Sequence, residues 1–342
     1  MDVLAGLLQG PCARGATVFR SVLAAPWALR IDDDATLGVV TAVRGDAWLV
    51  TGRGDPVHVR AGDVALLHDV GAYTVADDVA TPPQVVVHPE ARWSPAGAPG
   101  EVAPLSRRPW GRDRVGSTVL LVGAYHSDGE LSRRLLDALP PRLVVSAREL
   151  DSPFVTLLDA EVTSGAPGQD AVLQRLLDLV VIRSVRTWFL RPEADPPAWY
   201  AAYADPMVAA ALRLLHADPA RAWSVESLAD EVGGTRTTLA RRFVDRVGEA
   251  PMGYLARWRL SLAADLLRAT DDGLAAVARE VGYGTVYSLS TAFKRVHGIN
   301  PSHHRKAGKA EDAAKAERAR AVGRGAEPPA PAQAQARAAQ TV

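Results

Sequence analysis

The sequence predicts a multidomain α+β protein in which a β-rich N-terminal region, a helical middle region and an all-α C-terminal region follow one another. Three observations lead to this fold class. Apolar and polar residues alternate around spaced glycines over 37–75, which is typical of short antiparallel strands. Helical patterns occupy 152–190, between two proline-rich stretches. A small two-helix unit then occurs twice between 228 and 301.

The composition is that of a globular chain with more than one core. The 342 residues are 48% hydrophobic, which is enough for two or three domains. The single cysteine, Cys12, excludes an internal disulfide and gives no reason to expect an oxidising compartment. The N-terminal segment MDVLAGLLQG lacks the basic start of a signal peptide. The apolar stretch 171–190 contains four charged residues, which a membrane span tolerates poorly. We therefore expect a cytoplasmic protein with no membrane contact.

The distribution of charge separates the C-terminal part from the rest. The net charge of the whole chain is zero, which argues against a protein that coats nucleic acid. Acidic residues are in excess over 1–205, whereas basic residues are in excess over 206–308. Such an asymmetry marks a basic functional end.

The first region, 1–94, reads as short strands joined by turns that contain Gly-Asp pairs, and it predicts a small antiparallel sandwich or barrel. A barrel of this size is either packed with side chains or holds one small ligand.

Region 95–200 begins with a linker rich in Pro, Gly and Arg over 95–109. Helices are predicted at about 152–162 and 171–190.

The second of these helices carries an apolar stripe formed by Leu173, Leu177, Val180 and Trp188. A stripe of this kind either joins domains of one chain or joins two chains. Region 95–200 is accordingly expected to serve as a linker with helices for coupling or dimerisation.

The two-helix unit appears first as LADEVGGTRTTLARRFVDRVGEAP at 228–251 and again at 277–301. In each copy a glycine ends the first helix, at Gly233 and Gly282, and a threonine is placed to cap the second, at Thr235 and Thr285. Helix, tight turn and helix is the helix-turn-helix pattern, although packed helix pairs with a glycine are common in other proteins. The duplication and the basic residues on the outer face of each second helix favour DNA binding. These basic residues are Arg236, Arg241 and Arg242 in the first copy and Lys294 and Arg295 in the second.

The segment between the two units predicts one continuous helix. Over 251–269, apolar residues recur at helical spacing on one face, and 19 residues span about 28 Å at 1.5 Å per residue. Successive major-groove segments on one side of B-DNA are about 34 Å apart. Two recognition helices at the ends of such a spacer could enter consecutive grooves, so that one chain reads an asymmetric site.

The last segment, 309–342, contains Ala, Pro, Gln and charged residues with almost no large apolar side chains. It cannot bury enough surface to order itself, so a disordered tail is predicted.

The second unit, with VAREVGY, AFKRVHG and NPSHHR, and the spacer PMGYLARWRLSLAADLL resemble the DNA-binding domain of the AraC/XylS family of bacterial transcription regulators. The resemblance implies a double helix-turn-helix domain over 206–308. The N-terminal part resembles the cupin-type sensor domains of that family, which implies a cupin-like β-barrel at 1–94. Residues 132–145 resemble the stretch that follows the barrel in one subgroup. The partners implied are double-stranded DNA, a small-molecule effector, RNA polymerase and a second copy of the chain.

By position, the resemblance assigns base-reading roles within both second helices. The residues in the first are Thr237, Ala240 and Arg241, and those in the second are Val286, Tyr287, Ser288 and Thr291. The sequence departs from many family members at Thr291, where they carry arginine. Together with Arg236, Lys294 and Arg295, these residues form the predicted DNA interface. Phe243 and Phe293 are expected in the core.

Two other classes of function compete with an effector-responsive regulator. A cupin enzyme would need a metal held by converging ligands, but His58, His68 and His88 include no His-x-His pair, and Tyr73 stands where a ligand histidine is expected. No metal, cofactor or catalytic residue is therefore predicted. An architectural DNA-binding protein without an effector is the other alternative. Redox sensing by Cys12 is disfavoured because a lone cysteine has no resolving partner in its chain.

Overall fold

The computed structural model describes residues 13–89, 92–97, 103–104, 117–127 and 129–324. Cys12, much of the predicted linker 95–109 and the end of the predicted tail lie outside this part of the chain.

The N-terminal half is built from two β-sheets that pack face to face. The strands are β1 Ala13–Leu23, β2 Ala28–Ile31, β3 Leu37–Arg44, β4 Ala47–Thr51, β5 Val57–Val59, β6 Val64–Leu67, β7 Tyr73–Ala76, β8 Val85–His88, β9 Arg92–Pro95, β10 Ala103–Pro104, β11 Thr118–Ser127 and β12 Arg142–Val145. One sheet has the order β1-β11-β3-β6-β12, and the other has the order β10-β9-β8-β2-β7-β4-β5. All pairs are antiparallel except β2 with β8.

Strand β6 shows why the first sheet is apolar on both faces. Val64 and Leu66 point towards the helices, whereas Ala65 and Leu67 point into the space between the sheets. A strand covered on both faces needs no polar alternation. Large apolar side chains fill the space between the sheets, among them Phe19, Trp27, Leu29, Ile31, Leu49, Val75 and Leu120.

The predicted domain boundary at residue 94 is too early. Strand β11 lies between β1 and β3, and β12 pairs with β6 at the edge of the same sheet. The sheet domain therefore extends to Val145. Sequence periodicity could not show this, because β11 is separated from β9 by about twenty residues and its apolar run has no polar alternation.

Helices form the middle and C-terminal parts. They are α1 Glu130–Leu136, α2 Ala147–Leu150, α3 Phe154–Ser164, α4 Gln169–Phe189, α5 Ala198–Ala201, α6 Pro206–Ala217, α7 Val225–Glu231, α8 Arg236–Val247, α9 Pro251–Ala269, α10 Leu274–Glu280, α11 Val286–His297 and α12 Pro301–Arg324. The predicted helices at 152–162, 171–190 and 251–269 correspond to α3, α4 and α9. No helix in the described ranges is long and apolar enough to cross a bilayer.

The apolar stripe on α4 belongs to the core of a single chain. Leu173, Leu177 and Val180 are buried against the first sheet, and Trp188 is half-buried at its edge. A Cβ on Gly123 of β11 would lie 2.9 Å from the Leu177 side chain, so glycine at 123 lets the helix approach the strand. Of the two alternatives for the stripe, packing within the chain is correct, because the sheet presents an apolar outer face that must be covered.

The C-terminal helices form two pairs around α9. The pair α7 and α8 joins the same apolar cluster as the outer face of the sheet domain, whereas the pair α10 and α11 packs with the second half of α9 in a separate cluster.

The tail prediction is wrong for 309–324, because α12 continues to Arg324. Arg268 of α9 donates to Glu311 at 2.8 Å, and Lys309 pairs with Asp271. The side chains of 309–317 whose burial is described are exposed, so these ion pairs, rather than buried apolar surface, hold the start of the segment near the end of α9.

Candidate nucleic-acid interface

The first helix pair has a turn that glycine makes possible. Gly233 has φ +69° and its amide donates to the Asp230 carbonyl, while the Gly234 amide donates to the Ala229 carbonyl. Thr235 then caps α8, because its hydroxyl accepts from the Thr238 amide at 3.2 Å. This sequence of turn and cap fixes where α8 begins.

The second pair repeats this geometry. The Tyr283 amide donates to the Ala278 carbonyl, and the Thr285 hydroxyl caps α11 by accepting from the Ser288 amide at 3.0 Å. At Gly282, with φ +81°, a Cβ would lie 2.7 Å from Ala220 Cα. Glycine is therefore required there both by conformation and by the close approach of the loop after α6.

Each second helix is held by buried anchors. Leu239 and Phe243 of α8 are fully buried, as are Leu289 and Phe293 of α11. The prediction that Phe243 and Phe293 are core residues is confirmed. Because the anchors fix the inner face of each helix, the opposite face is turned to solvent.

The predicted DNA-contacting residues lie on these outer faces. Arg236, Thr237, Arg241, Val286, Tyr287, Ser288, Thr291, Lys294 and Arg295 are exposed, and Ala240 is half-buried. Tyr287 is 81% exposed, which is unusual for an aromatic side chain without a partner. The structure thus presents all ten residues on two solvent-facing helix surfaces.

Two polar side chains in this region are engaged within the protein. The Ser288 hydroxyl donates to the Thr285 carbonyl at 2.8 Å as part of the helix cap, so it is committed to the backbone rather than free for a base. Arg242 lies 3.6 Å from Asp205, which caps α6. Its charge is therefore directed to the start of α6, away from the face that carries Arg241.

The spacer helix α9 is fixed to α6 and to the loop after α6 by polar contacts. Arg259 Nε donates to the Pro219 carbonyl at 2.6 Å, and its Nη2 donates to the Arg221 carbonyl at 2.8 Å. His216 Nε2 lies 2.7 Å from the Tyr254 hydroxyl, and burial lowers the pKa of His216 to about 3. His216 is therefore neutral at physiological pH, and no charge is buried at this contact.

A contact that sequence reasoning missed joins the sheet domain to α9. The Asp265 carboxylate accepts from the backbone amides of Glu130 at 2.5 Å and Leu131 at 3.5 Å, at the start of α1. Arg134 of α1 donates to the Ser261 hydroxyl at 3.4 Å. Asp265 is 1% exposed, and burial raises its pKa to about 6. The only signal in the sequence is an aspartate inside the otherwise apolar run LAADLL.

The three histidines considered as metal ligands have separate surroundings. His58 pairs with Asp46 at 2.6 Å, His68 Nε2 donates to the Leu139 carbonyl at 3.0 Å, and His88 lies 2.8 Å from the Ser94 hydroxyl. Within the described part of the chain, no group of three or more His, Cys, Asp or Glu residues is arranged to hold a metal ion.

Two exposed helices, each set by a glycine turn and a threonine cap, and each held by a buried leucine and phenylalanine, define a DNA-binding protein of the helix-turn-helix class. The chain belongs to the family of AraC-like transcription regulators. A Cupin family model matches residues 2–190, and a Helix-turn-helix domain model matches 228–307.

Two curated relatives agree with this assignment. The chain is 35% identical over 289 residues to a putative AraC-like transcription regulator of Streptomyces lividans, covering 82% of this chain and 90% of the relative. It is 36% identical to one of Streptomyces antibioticus, again covering 82% and 90%. Among solved structures, the DNA-binding domain of AdpA in complex with a target DNA is 30% identical, covers 31% of this chain and 96% of its own, and has a TM-score of 0.30. The resemblance to the AraC/XylS family is confirmed, and it makes the chain a DNA-binding transcription regulator rather than an enzyme.

Proposed function

We propose that this regulator reads an asymmetric DNA site with both helix pairs of a double helix-turn-helix domain, and that a cupin-like barrel formed by its two sheets senses a small molecule in the cytoplasm. One observation carries the first part: the same turn, cap and pair of anchors occur at both ends of the 19-residue helix α9. A single chain then offers two recognition helices to successive major grooves.

The two pairs contribute unequally to base reading. Arg241 is exposed and carries no ion pair in the described part of the chain, so its guanidinium can form a bidentate contact with the O6 and N7 of a guanine. The corresponding surface of α11 offers Val286, Tyr287 and Thr291, which suit thymine methyl groups, groove shape or single hydrogen bonds. Arg236 and Thr237 add to the first surface, with Ala240 as a small contact beside them.

Lys294 and Arg295 serve a different purpose in this proposal. Both lie in the last turns of α11 and are exposed. Positively charged side chains at this position can bind DNA phosphates. Such contacts fix the position of the protein along the DNA without identifying bases. The Ser288 hydroxyl is engaged in the cap of α11. We therefore propose only van der Waals contact between Ser288 and DNA.

The test is a base-by-base scan of a DNA site selected from random sequences with the wild-type protein. We expect Arg241→Ala to lose about 1–3 kcal/mol of discrimination at one guanine and Thr291→Ala to change the scan little. Lys294→Ala should weaken all sequences alike and reduce the salt slope by about one. Arg213→Ala, an exposed arginine on α6, is the matched control and should leave the scan unchanged. Equal losses from Arg241→Ala and Thr291→Ala would contradict the asymmetry, and flat scans for both would contradict base reading by these helices.

A homodimer is part of the proposal, through a face other than the predicted stripe. Val172 and Leu179, seven residues apart on one face of α4, are exposed, as is Leu157 on α3, and exposed apolar patches are typical of interaction surfaces. RNA polymerase is retained as a proposed partner because the protein is a transcription regulator, with no residue assigned to that contact.

A further inference from the structure

Arg259 lies in the middle of α9, where the two apolar clusters of the C-terminal helices meet. Trp258, the residue before it, belongs to the cluster that contains the first helix pair, and Leu260, the residue after it, belongs to the cluster of the second pair. Long helices are rarely straight, so a single helix leaves some freedom in the angle between the two units that it joins. That angle depends on any other contact that holds the two pairs together at this point.

The half-buried side chain of Arg259 reaches from α9 to the loop that follows α6. Its Nε donates to the Pro219 carbonyl at 2.6 Å, and its Nη2 donates to the Arg221 carbonyl at 2.8 Å. Hydrogen bonds from a charged donor are stronger than neutral ones, and the planar guanidinium serves both carbonyls in one fixed geometry. Arg259 therefore fixes the loop to the midpoint of α9.

The loop is in turn fixed to the first helix pair. Arg221 Nη2 donates to Glu231, the last residue of α7, at 2.8 Å. The Arg221 guanidinium lies 4.0 Å from the ring centre of Trp223, and Trp223 Nε1 donates to the Asp218 carbonyl at 2.9 Å. The loop therefore moves with α7 and the first pair.

The turn of the second pair packs against the same loop. A Cβ on Gly282 would lie 2.7 Å from Ala220 Cα, 2.8 Å from the Ala220 carbonyl oxygen and 2.9 Å from Arg259 Nη2. Gly282 lies between α10 and α11, and Thr285, three residues later, caps α11. The loop of the first pair, the Arg259 side chain and the turn before α11 therefore meet at one point beside α9.

We infer that Arg259 is a positioning residue that fixes the angle between α8 and α11, and thereby the spacing of the DNA segments that these two helices read. The inference rests on the proposed reading of DNA by both helix pairs, and Arg259 itself contacts no base in it. A second attachment beside α9 prevents one pair from rotating about the helix axis relative to the other. Linked binding units bind most tightly when the linkage matches the distance between their sites, and a looser linkage lowers that maximum but tolerates other distances.

The experiment measures the affinity of the full-length protein for its selected site and for versions with one base pair inserted or deleted between the two segments. One base pair turns the second segment by about 35° around the DNA axis, because B-DNA has about ten base pairs per turn. We expect the wild type to lose at least about tenfold in affinity on either change, since the contacts of one helix are lost. Arg259→Met should bind the original site about three- to tenfold more weakly, whereas its own loss on insertion or deletion should be at least about threefold smaller than that of the wild type.

The control is Arg257→Met, the same substitution on the same helix. Arg257 is exposed, and its ion pair with Glu249 lies apart from the loop after α6. Arg257→Met should keep the dependence of the wild type on spacing. Arg259→Lys should restore part of that dependence, because its ammonium group can still donate to a carbonyl of the loop but lacks the planar fork.

A second variant tests the same contact from the side of the second pair. The new Cβ of Gly282→Ala would push the turn away from Ala220, so this variant should also become more tolerant of changed spacing. Gly233→Ala is its control, because Gly233 has a positive φ as well but its Cβ would meet nothing within 4 Å in the described part of the chain. Circular dichroism measures whether each variant is folded, and if Arg259→Met does not fold, the comparison of Gly282→Ala with Gly233→Ala decides.

The possible failures are distinguishable. A dependence on spacing that the wild type, Arg259→Met and Gly282→Ala share unchanged would overturn this inference and leave the proposed function standing. Equal tolerance in Arg259→Met and Arg257→Met would also overturn it alone. A wild-type protein that accepts insertion and deletion without loss would overturn both this inference and the reading of one site by two fixed helices.

Discussion

The buried carboxylate of Asp265 should make the protein less stable as the pH rises from about 4 to about 6. Its pKa is 3.8 in an unperturbed carboxyl group and about 6 in the folded protein, chiefly because burial disfavours the charge. The folded state therefore holds the proton more tightly than the unfolded state. By linkage, the stabilisation from the neutral form is complete below pH 4, is lost as the pH rises through 6, and stays lost above it.

The size of the effect follows from the difference between the two pKa values. A difference of roughly 2 corresponds to about 3 kcal/mol at 1.36 kcal/mol for each pH unit. Asp265→Asn removes the charge and keeps one oxygen as acceptor for the Glu130 amide. The asparagine NH₂ group replaces the oxygen that accepts from Leu131 over a long 3.5 Å, and this reduces the gain. At pH 8 we expect Asp265→Asn to be more stable than wild type by about 1–3 kcal/mol.

The assay is urea unfolding of both proteins between pH 4 and pH 8, and the quantity compared is the difference between them at each pH. Glu130 and Arg268, whose charges influence Asp265, are present in both proteins, so their contributions largely cancel. The difference should vanish near pH 4. Asp272→Asn, an exposed aspartate just beyond α9, should stay within about 0.5 kcal/mol of wild type throughout. An Asp265→Asn protein that is less stable than wild type at pH 8 would refute the reasoning, as would a difference that does not change with pH.

Asp265 also shows where prediction from the sequence ends. Helix α9 could be predicted from its own apolar spacing, because helical periodicity depends on neighbours three and four residues apart. The partner of Asp265 is the start of α1, 135 residues earlier in the chain. No local pattern encodes such a contact.

The same distinction holds for the sheet domain and for the DNA interface. The turns at Gly233 and Gly282 and the caps at Thr235 and Thr285 were predicted because caps and tight turns are local. The return of β11 to the middle of a sheet was not, since strand order depends on pairing with residues far away in the chain. The apolar stripe on α4 was predicted from its helical spacing, but its partner could only be found from the structure, where Gly123 admits Leu177.

Two further predictions test the packing. Leu177→Glu should unfold the sheet domain, because Leu177 is 1% exposed and packs against β11. Leu179→Glu should leave the fold intact and dissociate the proposed dimer, because Leu179 is on the outer face and 41% exposed. Circular dichroism measures the fold and sedimentation measures the dimer, and a folded Leu177→Glu protein would contradict the packing described. Gly233→Ala should lower the free energy of unfolding by about 1–2 kcal/mol from its positive φ alone. Gly282→Ala should lower it clearly more, because its Cβ would also meet Ala220 at 2.7 Å. Equal thermal midpoints for these two variants would show that the loop at Ala220 moves aside freely.

The two helix pairs repeat one local structure but are supported differently, and this bears on the asymmetry proposed for base reading. The first pair shares a continuous apolar cluster with the outer face of the sheet domain, through residues such as Leu135, Leu212 and Trp258. The second pair has its own cluster with the far half of α9, and that half is where Asp265 holds the start of α1. A shift of the sheet domain can therefore move the first pair through packed side chains. It can move the far half of α9, which carries the second pair, through the contacts of α1 with Asp265 and Ser261. Because packed cores shift little while a single charged contact can be made or broken, the contact between the sheet domain and the far half of α9 is the more adjustable of the two. The base-reading surface proposed for α11 is thus carried by the half of α9 whose link to the sheet domain includes Asp265.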